Sequence, residues 1–213
     1  PMGLSRGFYM NVFYDANLIY DAGTKAMKSS KFKHSTQLFE MNHLLNTAHI
    51  RRDFMTGDYR PAPGNKFPIN ERGHSRYITS NTMIDKTVNH LFCDEVLTPA
   101  ISKYLIYDNG ASQKDKGVAF HRRRFEAHLH QYYEREGTNE GYILLVDFSG
   151  YYANIPHDKC NEVIQGFLER EVEDPETLLI SEMLLRLLFK TFEQDVSRFS
   201  DEEIAAMMAS KVD

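Results

Sequence analysis

Residues 141–148 read GYILLVDF. From Tyr142 to Val146, aromatic and branched apolar residues follow one another with no polar face, the pattern of a strand buried on both sides. No other stretch constrains the fold as much, because a strand without a polar face has to lie inside a covered sheet. Asp147 then falls where that strand leaves the core. A carboxylate there is unfavourable unless it is paired, hydrogen-bonded or bound to a cation.

The rest of the chain reads as mostly helical. Apolar residues at three-and-four spacing predict helices over Ala16–Lys28 and Ser35–Phe54. The second runs through Leu38, Phe39, Met41, Leu44, Leu45, Ala48 and Ile50, with Ser35 or Thr36 as its cap. Three prolines and Gly64 exclude a helix over 61–68, and ERGH between KFPI and SRYIT predicts a β-hairpin. Further helices are expected over 84–96, ending before Pro99, and over Gly117–Arg135 after the polar loop YDNGASQKDKG. Two more follow at Lys159–Glu169, capped by His157 or Asp158, and at Glu176–Phe192 behind Pro175. FSDEEIAAMMASKV opens on a cap at Ser200 with acids in the first turn. The fold class is therefore α+β: mostly helical, with a hairpin and a central strand, and with neither an internal repeat nor a low-complexity tract.

With 213 residues, 42% of them hydrophobic, the chain can build a substantial core in one domain or two closely packed lobes. No long uncharged apolar run and no signal-peptide pattern is present, so no membrane partner is expected. Cys93 and Cys160 lack any CxxC or Cys/His spacing, which argues against a disulfide framework or a structural zinc site and fits a reducing, cytoplasmic setting. The net charge of −5 conceals a division. Residues 1–136 hold 19 Lys/Arg against 14 Asp/Glu, while residues 137–213 hold 6 against 16. Phosphate attraction follows local cation clusters, so an acidic total does not exclude a nucleic-acid partner for the basic part.

Asp147 has two readings. It can cap the following turn through its side chain, or it can be a metal ligand of the kind used in phosphoryl and nucleotidyl transfer, where carboxylates hold two divalent cations. Its neighbours favour the second. DFSGYYANIPHD resembles the first palm motif of bacterial reverse transcriptases, the group that includes group II intron, retron and diversity-generating members. Upstream, SRYITSNTMIDKTVNHLFCDEVLTPAI resembles the family's first fingers motif, and NGASQKDKGVAFHRRRFEAHL resembles the second, a loop ending in Lys/Arg-Gly and entering a helix. The three occur in the family's order over about residues 59–160.

The resemblance implies an RNA-directed DNA polymerase acting on an RNA template, a DNA primer and deoxynucleoside triphosphates, with Mg²⁺ as cofactor. It implies that Asp147 and the backbone carbonyl of Phe148 hold the metal, and that the backbone of Ser149, Gly150 and Tyr151 contacts phosphates. Tyr152 would lie under the incoming sugar and exclude a 2′-hydroxyl. Both tyrosines can instead be packed core aromatics. Residues 1–136 would be the fingers region and 137–213 a partial palm.

The cations fit that scheme on physical grounds. Arg76 on a hairpin strand and Lys86 at a helix start can clamp a triphosphate, Arg as a planar fork and Lys as a point charge. Lys66 and Arg72 read equally well as solvated hairpin residues. Lys114 and Lys116 flank a helix start at Gly117, where free amides also favour an anion. In HRRRF the three arginines point about a hundred degrees apart, so at most two, Arg123 among them, can face one groove of a nucleic acid.

Several alternatives are excluded by absence of their motifs. There is no HExxH, no GxxxxGK[ST], no GxSxG and no protein-kinase set. The family's second palm motif, Tyr/Phe-x-Asp-Asp, is also missing, and DEE at 201–203 reads as acids at a helix start. The expectation is a fragment that is inactive alone, self-associating through exposed palm surface. A noncatalytic RNA-binding module with a fingers-like surface is the alternative.

Overall fold

The structure is a computed structural model and describes residues 11–71, 74–148, 151–192, 200–203 and 205. Its contacts divide the chain into two compact units, residues 1–100 with 156–212 and residues 101–155. This division does not follow the change of charge at residue 136.

The first unit is helical around one core. Asp15 accepts from the amides of Asn17 and Leu18 and so starts α1 (Ala16–Met27). α1 packs on α3 (His43–Thr56) and on α4 (Met83–Phe92), burying Phe13, Ile19, Ile50, Leu91 and Phe92 together with Leu168 of α7 (His157–Glu171) and Leu184 of α8 (Pro175–Phe192). A smaller cluster joins Ala26, Met27, Phe39 and Met83.

The single helix expected over Ser35–Phe54 is two helices, α2 (His34–Met41) and α3, broken at Asn42. Asn42 stands at φ −110°, ψ 20°, and its side-chain amide donates to Leu38 O, an alternative to the helical ladder that asparagine readily offers. Neither Ser35 nor Thr36 is the cap. Lys33 holds that position without a side-chain bond, and the Thr36 hydroxyl is buried against Ser30 and Met83. The break also changes which face is buried. Leu38, Met41, Leu44 and Leu45 are exposed, while His43, Thr47, Ile50 and Phe54 line the core side of α3.

The hairpin forms as expected, with β1 (Asn65–Glu71) antiparallel to β2 (His74–Ser80) and Ile69 opposite Arg76. α4 is capped by Thr82, whose hydroxyl accepts from the Asp85 amide. The following helix does not end before Pro99. After α4 the backbone widens into a π turn over Cys93–Leu97 and continues as α5 (Thr98–Ser102), which carries Pro99 in its first turn, where no amide is needed.

In the second unit, α6 (Val118–Glu136) is bracketed by Gly117 at φ 141° and Gly137 at φ 68°, conformations that favour glycine. None of its residues is buried. The strand expected at Tyr142–Val146 is not formed. The run has no regular structure, and Tyr142, Leu144 and Leu145 are almost wholly exposed. A strand exists only by hydrogen bonding to a neighbour, and among the described residues the two hairpin strands pair only with each other.

The C-terminal helices start one or two residues earlier than the sequence suggests. His157 and Asp158 lie inside α7 rather than capping it, since Pro156 holds the cap position. Asp174 accepts from the amide and hydroxyl of Thr177 at the start of α8. Ser200 and Glu203 exchange reciprocal bonds, Ser200 Oγ accepting from the Glu203 amide and Glu203 Oε2 from the Ser200 amide. This capping box accounts for the acids at 201–203.

Candidate functional site

The residues singled out for chemistry fall in both units. Arg76 and Lys86 belong to the first; Lys114, Lys116, Arg123, Asp147, Phe148, Tyr151 and Tyr152 belong to the second. Ser149 and Gly150 lie outside the described residues, as do the side chains of Lys66, Arg76 and Tyr152.

Asp147 is exposed, and Oδ1 accepts from the amide of Phe148 at 3.0 Å. This bond reaches only the next residue, one short of the amide two residues on that a turn-opening aspartate holds. It leaves the second oxygen unassigned, and no cation pairs with the carboxylate among the described residues. A short 3₁₀ turn over Tyr151–Asn154 follows. The ring centroids of Phe148 and Tyr151 are 6.3 Å apart and both rings are well exposed, so Tyr151 is not a core aromatic.

One carboxylate and one main-chain carbonyl are hard oxygen donors of the type Mg²⁺ prefers. Among the described residues no group of three His, Cys, Asp or Glu side chains is placed to hold a metal ion. Asp147 and Phe148 supply two donors of that type next to each other in the chain.

The second unit sorts its cations sharply. Lys116 donates from Nζ to Tyr107 O at 2.7 Å and Asn109 O at 3.1 Å, and sits 5.0 Å from the ring centroids of both Tyr107 and Phe120. It ties the loop to the start of α6 and keeps one N–H for any other partner. Arg124 is bonded to Asp108, which also meets His128 Nε2 at 2.6 Å. These two partners hold the Asp108 carboxyl down at about 2. Arg122 pairs with Glu126 one turn along. Arg123 and Lys114 are exposed with no ion-pair partner among the described residues. Of the HRRR run, then, Arg123 is the arginine left open to an external phosphate.

In the first unit, Lys86 sits in the first turns of α4, half-buried and without an ion-pair partner among the described residues. β2 leads to it through Asn81 and Thr82, so the Arg76 backbone and Lys86 lie at opposite ends of one strand-to-helix connection.

The residue before Lys86 is one that sequence reasoning passed over. Asp85 is only 4% exposed, and its oxygens accept from Tyr59 Oη at 2.9 Å, Thr82 Oγ1 at 2.6 Å and the Ala62 amide at 3.3 Å. Burial, together with this carboxylate, pushes the Tyr59 phenol up from its ordinary value. Asp85 pins the segment before the hairpin to the start of α4, which positions both Lys86 and the hairpin base. Thr82-x-x-Asp85 signals the cap in the sequence, but nothing local signals Tyr59 or Ala62.

Compared with known proteins, the chain matches no family model and no curated protein sequence.

Proposed function

We propose that the chain is the fingers and opening palm of an RNA-directed DNA polymerase. The observation that carries this reading is Asp147, an exposed carboxylate with no cation partner among the described residues, at a corner that continues into FSGYYANI. The order of the two upstream motifs supports it, as does a hairpin that feeds directly into the helix bearing Lys86.

In this reading Asp147 and the Phe148 carbonyl hold Mg²⁺, which when bound stabilises charge on the attacking and leaving oxygens of nucleotidyl transfer. The chain's own groups do the positioning. Arg76 and Lys86 neutralise the triphosphate, and the resemblance adds the amides of residues 149–151 as further donors to its phosphates. Tyr152 closes the space that a 2′-hydroxyl would need. Arg123 and Lys114 contact template phosphates, and Lys116 does so only with its remaining N–H. No helix among the described residues is long and apolar enough to cross a membrane.

Primer extension on an RNA template, with Mg²⁺ and deoxynucleotides, tests the reading. The 213-residue chain is expected to be inactive. Joined to a palm segment bearing Tyr-x-Asp-Asp, it extends the primer, Asp147→Ala reduces extension to background, and Tyr152→Ala admits ribonucleotides. Extension that is indifferent to Asp147→Ala overturns the proposal. An inactive joined chain that still binds RNA with a steep salt dependence assigns the fold to a noncatalytic RNA-binding module.

A further inference from the structure

Where the hairpin opens, at the pairing of Asn65 with Ser80, it meets the first turns of α2 and α4 around a pocket of about 320 Å³. Among the described residues two lysines line it, Lys33 and Lys86, together with the hydroxyls of Ser35 and Ser80 and the amides of Asn65 and Asn81. No carboxylate among the described residues lines it, in a chain with 30 acidic residues against 25 basic ones. Neither lysine has an ion-pair partner among the described residues. The acid nearest in sequence, Asp85, has its oxygens occupied by Tyr59, Ala62 and Thr82. α2 starts without a side-chain cap, so no capping side chain accepts from the amides of its first turn.

We propose that this pocket binds a phosphate-type oxyanion between Lys33 and Lys86. Two like charges lining one pocket are relieved by an anion between them, and the hydroxyl and amide groups of the wall, which they share with Phe39, Met83 and Ile84, donate to such an oxyanion without competing for it. Ligand pockets span about 300–1,000 Å³. This one is therefore suited to a single phosphate with its attached sugar, carried either on a free nucleotide or on a nucleic-acid backbone. The site shares Lys86 with the nucleotide reading above and rests on no other part of it, since none of residues 147–152 takes part.

The test is a titration of the chain at low ionic strength, following the amide signals of Ser35, Asn65 and Asn81 by ¹H–¹⁵N NMR. The probes are inorganic phosphate, a nucleoside 5′-monophosphate, the parent nucleoside, and a short RNA lacking terminal phosphates. The phosphorylated probes are expected to shift those amides and the nucleoside to leave them in place. Lys33→Gln and Lys86→Gln are each expected to weaken binding about tenfold, as loss of one charge-assisted bond does. Tighter binding of the monophosphate assigns the anion to a free nucleotide, and tighter binding of the RNA assigns it to a backbone. Lys33 is exposed, so Lys33→Glu, which reverses its charge without disturbing a buried contact, is expected to abolish binding while the urea midpoint stays in place. Equal shifts by nucleoside and monophosphate, or phosphate binding unchanged in Lys33→Glu, overturn the proposal. Asp147→Ala is expected to leave this binding unchanged, so a failure of the pocket and a failure of the polymerase reading show separately.

Discussion

His43 shows how a single side chain can govern helix packing. It is 6% exposed, stacked on Tyr20 with ring centroids 3.9 Å apart, and Nε2 has no hydrogen-bond partner among the described residues. Burial pulls its pKa below the ordinary histidine value, against the opposing effects of a Tyr20 backbone bond and Glu40. The ring lies so close to Gly23 of α1 that a Cβ there would stand 2.3 Å from Nε2. Glycine inside a helix ordinarily destabilises by about 1 kcal/mol relative to alanine. Here the sign reverses, because the ring is held between Tyr20 and Phe39 and cannot withdraw. Gly23→Ala is expected to destabilise the protein by about 2 kcal/mol, through overpacking, as measured by urea denaturation. Because the folded protein resists protonating His43, the stability of the wild type declines as pH falls below the free-histidine value of about 6.5.

Among the elements, α4 and the segment before the hairpin depend on each other through Asp85. Three donors converge on this carboxylate, one of them a buried tyrosine hydroxyl. Removing the acceptor strands the Tyr59 hydroxyl in the interior and takes a partner from the half-buried Thr82 and Ala62 donors, so Asp85→Ala is expected to cost about 3 kcal/mol. Asp85→Asn, which retains one acceptor oxygen, costs less. Chemical denaturation gives both values, and an Asp85→Ala variant as stable as the wild type would show that the strap is held by other contacts. The opposite case is the run Tyr142–Val146. Its composition is that of a buried strand, yet an element needs a partner as well as a propensity, and its side chains stand exposed.

Over the whole molecule, burial is unevenly shared. The main core lies entirely in the first unit, whereas in the second Gly110 alone is buried among the described residues. Local stability follows buried apolar contact. Hydrogen exchange is therefore expected to show α1, α3 and α4 opening only near the global free energy, about 5–15 kcal/mol for a domain of ordinary stability. α6 and the loop before it should exchange far faster. Equal protection in the two units would mean that the second unit draws on stabilisation other than its own packing.

The sequence was legible wherever the determinant is local. Prolines and Gly64 marked the hairpin's approach, glycines bracketed α6, a serine and a glutamate three residues apart made the last cap, and the helical stripes placed α1, α4 and α8 to within a few residues. The chemical candidates were proposed in the same way, from residue types in a motif. Where sequence reasoning failed, a second segment made the decision. Asn42 divides one apolar stripe so that polar His43 and Thr47 face the core while Leu44 and Leu45 face solvent. Lys116 gives two of its donors to carbonyls of the preceding loop and keeps one, and Arg124 of the HRRR run is held by Asp108 of that loop. Lys33 and Lys86, 53 positions apart, share one pocket only because α2, α4 and the hairpin meet there. Periodicity and caps act over one or two turns of chain, and sequence alone determines them. Pairing, burial and the convergence of charges depend on which distant segments meet, and the tertiary structure alone decided those.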